Sequence, residues 1–298
     1  MDKILLFTIG PEDEGRTVAR YLRRRGVSHR VLVDLKREPD GLMIAGETAF
    51  TNRPLHAGET LRLFLREPET SDIVPQPGLA LPIVYEDDDL FVVDKPAGMA
   101  VHPSPQNREN TVANALAAVC AARGEELVFR VIGRLDKDTS GLLVVAKNAI
   151  AAGVLTEAAA EKRLRREYLA VCTGELPARG TIDAPIGRVD GSVITREVRE
   201  DGARAVTHFE RLRYENGWSL ARVWLETGRT HQIRVHMRHI GHPLPGDFLY
   251  NPDYRVVHRH ALHAARLTVP LPFSEETRTF ESPLPADLKK FWYDAKNT

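Results

Sequence analysis

Residues 131–146 read VIGRLDKDTSGLLVVA. A charged loop runs directly into Leu142 to Ala146, an apolar run of strand length that reads as a buried strand. Within the loop, Arg134 and Lys137 bring positive charge close to Asp136 and Asp138, which keeps at least one carboxylate ionised and oriented. Such a carboxylate, withdrawn from water, suits nucleophilic attack or proton abstraction. The alternative is that Asp136 caps a turn with Thr139 and Ser140. Gly141 permits a close backbone approach at the strand's mouth.

C-terminal to this stretch, residues 149–167 form the longest helix-like segment, and EYLAVCTG reads as a strand with Tyr168 at its beginning. Residues 206–213 and 218–226, separated by Tyr214-Glu215-Asn216-Gly217, predict an antiparallel pair. HQIRVHMRHIG predicts a helix closed by Gly241, ALHAARLTVPLP one more strand, and ADLKKFWYDA a short terminal helix. N-terminal to it, IVYEDDDLFVVDKPAGM looks like a pair of apolar strands closed by Lys95-Pro96-Ala97-Gly98. A helix is expected over Thr111 to Ala122, with Asn110 as its cap.

The first 66 residues form a separate unit. GRTVARYLRRRG (15–26) sets Val18, Ala19 and Leu22 on one side of a helix that Gly26 stops, and a second helix is expected over Ser28 to Arg37. Short strands follow, ending in the alternation Leu61, Leu63, Leu65. Residues 67–82 contain four prolines and read as a linker to a larger domain, 83–298. Strands joined by hairpins, with helices spaced irregularly, argue for α+β rather than a βαβ repeat.

Composition narrows the class. Of 298 residues, 43% are apolar and 28% charged, which is globular, and two cysteines, Cys120 and Cys172, are too few for a secreted disulfide scaffold. With no signal-peptide pattern at residues 1–10 and no long apolar run, a cytoplasmic protein that does not enter a membrane is expected. Net charge is zero, but residues 14–30 hold six arginines, Arg16, Arg20, Arg23, Arg24, Arg25 and Arg30, against Glu14. That is either a solvated face or a phosphate-contacting surface.

A second cluster, LETGRTHQIRVHMRHIGHPLPGD (225–247), contains Arg229, His231, Gln232, Arg234, His236, Arg238, His239 and His242. Seven of the eleven histidines fall within residues 225–266, yet His236, His239 and His242 have no acid or cysteine at ligand spacing, so no metal is expected. Arginines suit phosphates and carboxylates better, and Arg234 and Arg238 share one helical face. Neither GXXXXGK[ST] nor GXGXXG occurs, so no nucleotide cofactor is expected either.

Four motifs in order, VVDKPAGMAVHP, GRLDKDTSGLLVVAKN, REYLAVCTG and LETGRTHQIRVHMRHIGHPLPGD, resemble those of the pseudouridine synthases that modify ribosomal and transfer RNA. Residues 14–66 are similar to a small RNA-binding module (S4-like) of a bacterial ribosomal protein, often fused to such enzymes. The resemblance implies an α+β fold in which this module precedes a mixed, largely antiparallel-sheet catalytic domain. It implies isomerisation of uridine in structured RNA, ribosomal or transfer, without cofactor or metal, by a protein expected to be monomeric. By position, Asp136 is the catalytic aspartate, Tyr168 packs on the target base and Arg234 pairs with the aspartate. Arg134 helps displace the target nucleotide, Arg229, His231 and Gln232 belong to the RNA-binding or base-flipping set, and Arg20, Arg23 and Arg24 supply phosphate contacts. Gly133 departs from the histidine usual before RLD. A non-catalytic RNA-binding or ribosome-associated protein on the same scaffold is the alternative.

Overall fold

The computed structural model describes residues 3–66, 72–104 and 108–293. The first part contains β1 (Lys3–Thr8), α1 (Val18–Arg24), α2 (His29–Arg37), β2 (Leu42–Ile44), β3 (Glu47–Thr48) and β4 (Thr60–Leu65), with the sheet ordered β1-β4-β2-β3. Thr17 and Ser28 start the two helices by accepting the backbone N–H of Arg20 and Val31. The alternation expected of residues 61, 63 and 65 is present, and these leucines pack against Val18, Tyr21, Leu22 and Leu35. On α1 the buried positions are Val18, Tyr21 and Leu22; Ala19 is only half-buried. Residues 3–8 carry no polar alternation and gave no strand signal, yet they pair along β4, leaving Ile4 and Leu6 exposed.

The remainder holds β5 (Ile83–Glu86), β6 (Leu90–Lys95), α3 (Val112–Ala121), β7 (Arg130–Ile132), β8 (Ser140–Ala146), α4 (Ala149–Ala160) and β9 (Arg165–Thr173). It continues with β10 (Arg179–Asp183), β11 (Ile186–Arg188), β12 (Arg196–Val198), β13 (Val206–Glu215), β14 (Trp218–Leu225), α5 (Gln232–His239), β15 (Leu262–Pro270), β16 (Thr277–Glu281) and α6 (Ala286–Tyr293). Ten strands form one sheet along the path β10-β13-β14-β9-β15-β8-β6-β5, with β16 beside β15 and β7 beside β8. Its pairings are antiparallel except for β15 with β8, so the expected mixed, largely antiparallel sheet is present.

All seven residues of β8 are buried because both faces of the strand are covered. Leu143 and Val145 pack with Val112, Leu116 and Cys120 of α3, whereas Leu142, Val144 and Ala146 pack with Ala151, Leu155 and Ala158 of α4. That is the physical source of the unbroken apolar run. Where β8 meets β15, Gly141 has φ +110°, and a Cβ there would lie 2.2 Å from the Ala264 carbonyl oxygen. Both cysteines are buried and unpaired, and burial pushes the Cys172 thiol up to about 12.

Three local expectations are corrected. The cap of α3 is Thr111, in a reciprocal box with Asn114; Asn110 has φ +58° and donates its N–H to Gln76. Helix α4 ends at Ala160, since Lys162 adopts φ +59° and the basic residues beyond it start β9, making Tyr168 the fourth residue of that strand. The proline-rich run is strapped to α3: Asn114 donates to the Val74 carbonyl, and Ile73, Leu79 and Leu81 pack on the main core. Its first residues, 67–71, lie outside the described set, as do the last two of ADLKKFWYDA. The Asn216-Gly217 turn has both residues at positive φ, as a two-residue hairpin requires. Among the described residues no helix is long and apolar enough to cross a membrane.

Candidate active site

The loop between β7 and β8 carries Asp136, and its shape is set by groups it does not itself contain. Lys95, fully buried at the end of β6, donates to the carbonyls of Pro96, Met99 and Lys137 at 2.9, 2.8 and 2.8 Å. Burial pulls its ammonium down to about 7, against the opposing charges of Asp138 and Asp136. Arg259 donates to the Asp138 carbonyl at 3.1 Å and pairs with Asp287 of α6. Thr139 and Ser140 do not cap a turn with the Asp136 side chain. Their hydroxyls meet His260 Nε2 at 2.7 Å and His263 Nδ1 at 2.9 Å, on the approach to β15 and on β15 itself.

Asp136 is thereby presented at the cleft, its side chain 29% exposed, and its Oδ2 accepts Arg234 Nη1 at 2.9 Å. Arg234 projects from the first turn of α5 and is almost wholly buried. Asp247 fixes it from behind: Nε to Oδ2 and Nη2 to Oδ1 are both 2.7 Å, a bidentate pair, and Asp247 also accepts the backbone N–H of Leu249. Burial disfavours the Arg234 charge, but the bonds and charge of Asp247, reinforced by Asp136, outweigh it and hold the guanidinium above its usual range. Asp247 stood at the end of the fourth motif without an assigned role; a lone acid in PLPGD has no spacing that betrays its partner.

His231 opens α5 from the left-handed region, φ +58°. Its Nδ1 lies 2.9 Å from the Tyr250 hydroxyl, which also accepts the Arg196 N–H. Nε2 is 3.9 Å from Asp136, and burial holds the imidazole below its ordinary pKa although Asp136 opposes this. Tyr168 on β9 faces the same cleft; burial raises its phenol, Asp136 adds to that and Arg166 opposes it.

The cleft measures about 980 Å³ and brings together Asp136, Tyr168, Arg234, Arg134, Arg229 and His231. Arg134 reaches across it to Thr230 at 3.3 Å, and Arg229 donates to the Arg204 carbonyl at 3.0 Å while remaining exposed. Gln232, expected in the RNA-binding set, also lines the cleft. It is buried, accepts from Arg229 N and Thr227, and donates to Val206 O and Thr207, so its side chain fastens the 227–232 turn to β13.

Arg20, Arg23 and Arg24 lie on α1 and do not line this cleft. Their charge is also less free than residues 14–30 imply. Buried Asp13, one residue outside that window, pairs with Arg16 at 2.8 Å, Arg24 at 3.5 Å and Arg25 at 3.6 Å. Arg20 and Arg23 are exposed, and among the described residues neither has a carboxylate partner.

A mixed sheet thus presents an arginine-clamped aspartate and a tyrosine in one cleft. The family model for RNA pseudouridylate synthase matches residues 89–239, and the chain belongs to that family and is an RNA pseudouridine synthase. It is 37% identical over 275 residues to an uncharacterized RNA pseudouridine synthase of Bacillus subtilis, covering 92% of this chain and 97% of that one. It is 38% identical over 269 residues to a ribosomal large subunit pseudouridine synthase D of Xanthomonas campestris, covering 83% and 79%. Among solved structures, human RNA pseudouridylate synthase domain containing 1 superposes with a TM-score of 0.58 at 29% identity, covering 71% of this chain and 86% of that one.

Proposed function

We propose that the chain converts specific uridines of ribosomal or transfer RNA to pseudouridine with Asp136 as the catalytic carboxylate. In this reading the N1 to C1′ bond breaks, the uracil turns without leaving, C5 joins C1′, and the C5 proton is lost while N1 gains one. Asp136 either attacks C1′ or removes the 2′ proton; both require an ionised oxygen at the cleft surface. The carrying observation is the chain Asp247–Arg234–Asp136, which holds one carboxylate oxygen in place and leaves the other for substrate. Tyr168 provides the wall against which a flipped uracil stacks, and Arg134 fills the vacated place in the RNA. The ribosomal-RNA half of the proposal is supported by the Xanthomonas relative's name.

Residues 3–65, with two capped helices on a small sheet and exposed Arg20 and Arg23, are proposed to be an S4-like RNA-binding module. The test is a pseudouridine map of total RNA from cells with the gene, without it, and with Asp136→Asn restored. A site lost in both the deletion and the D136N strain supports the reading and names the substrate. A site restored by D136N removes Asp136 from the chemistry.

A further inference from the structure

Arg166 stands on β9 two residues before Tyr168 and therefore on the same side of the strand. Its guanidinium occupies the space beside Gly133 where a side chain would begin: a Cβ there would sit 2.8 Å from Nη1, 2.9 Å from Nη2 and 3.0 Å from Cζ. Gly133 has φ +78°, a conformation that glycine adopts freely, so the loop bends away and opens that space. One nitrogen of Arg166 donates to the Ile132 carbonyl, which pins the group at the base of the Asp136 loop. Among the described residues no carboxylate lies within ion-pair distance of it, whereas Arg222 and Arg234 on the same cleft have acid partners and Arg134 has a hydroxyl. Arg166 lines the cleft together with Tyr168 and Asp136.

A half-buried cation without an anion is incomplete, and uracil, being neutral, cannot complete it. The ligand that brings negative charge into this cleft is the RNA backbone. We propose that Arg166, seated in the space vacated at Gly133, binds a backbone phosphate next to the flipped nucleotide and so determines which RNA geometry the cleft accepts. It is a substrate contact placed by the glycine, and it depends on RNA entering the cleft but not on the role of Asp136. Burial, the first cause, lowers the Arg166 pKa in the free protein, which agrees with a charge waiting for its partner.

The probe is total RNA from cells lacking the gene, its phosphates neutralised at random by ethylnitrosourea, then selected for binding to the full chain and sequenced. With wild type, ethylation at one phosphate beside the modified uridine interferes with binding. Arg166→Gln abolishes that single interference and lowers the slope of log K against log salt by about 0.7 to 0.9, and Arg166→Lys retains the slope. The D136N protein keeps the wild-type pattern, so a failed catalytic assignment is distinguishable from a failed phosphate contact. Identical interference and slope in wild type and R166Q overturn the proposal, as does absence of any interference at the target in wild type. Should R166Q fold poorly, Gly133→Ala displaces the same guanidinium without removing it: loss of the same phosphate signal supports the contact, and its retention overturns it.

Discussion

Asp247 and Arg234 meet through two parallel hydrogen bonds of 2.7 Å, and the nitrogen this leaves over is the one that holds Asp136 at 2.9 Å. The pair orients a cation that is paired twice, once for structure and once for the cleft. Removing either acid therefore has a different consequence.

Asp247→Asn leaves a buried guanidinium short of its main counter-charge. We expect a stability loss of roughly 3–5 kcal/mol by urea denaturation, with pseudouridine formation falling as well. Asp136→Asn, at a partly exposed site, should leave stability within about 1 kcal/mol while abolishing turnover in a tritium-release assay. Equal destabilisation by the two variants would contradict the division of labour between the acids.

Arg234→Lys keeps a positive charge but cannot bridge both acids with a planar fork. Turnover should fall by at least about a hundredfold with the fold retained, because a mispositioned carboxylate loses most of the benefit of orientation. Wild-type single-turnover rates in this variant would remove Arg234 from the positioning of Asp136.

Gly141→Ala forces a Cβ to 2.2 Å from the Ala264 carbonyl at φ +110°. No rotamer relieves a backbone clash, so a loss above about 4 kcal/mol, or failure to fold, is expected from thermal and urea unfolding. A near-native Tm would show that β8 and β15 separate more easily than their pairing implies.

His236, His260 and His263 are all held below 6.5 by burial. Below that pH the unfolded chain binds protons that the folded chain refuses, so their contribution is complete above 6.5 and declines as pH falls beneath it. Each such group adds a slope of up to about 1.4 kcal/mol per pH unit. Urea titrations at several pH values should show this, and His236→Gln, which removes the group bonded to Thr207 and the Ala184 carbonyl, should reduce the slope by about one proton. An unchanged slope would mean that His236 is protonated in the folded state.

Arg20 and Arg23 are exposed without carboxylate partners among the described residues, whereas Arg24 leans on Asp13. Alanine at Arg20 or Arg23 should each lower the salt slope of binding to total RNA by about 0.9, and alanine at Arg24 by less. Equal effects at all three positions would indicate that RNA displaces Arg24 from Asp13.

Local chemistry was legible in the sequence where a residue acts on its near neighbours. The Asn216-Gly217 turn, the alternation of Leu61, Leu63 and Leu65, and the apolar run of β8 all carry periodic or turn signals, and the four motifs placed Asp136, Tyr168 and Arg234 in order along the chain. The strand at residues 3–8 was illegible because Ile4 to Phe7 form an unbroken apolar run with no alternation, and the segment becomes a strand by pairing with β4, nearly sixty residues away. Tertiary structure alone decided which charge neutralises which. Arg234 and Asp136 are 98 positions apart, Lys95 and the Lys137 carbonyl 42, and Thr139 and His260 121. A buried ion pair leaves no repeat in the sequence; it exists because desolvating either member alone is costly, and the fold that removes the water must also supply the partner. By the same reasoning Asp13 claims three arginines that composition had counted as free, and Gly133 gives its space to Arg166.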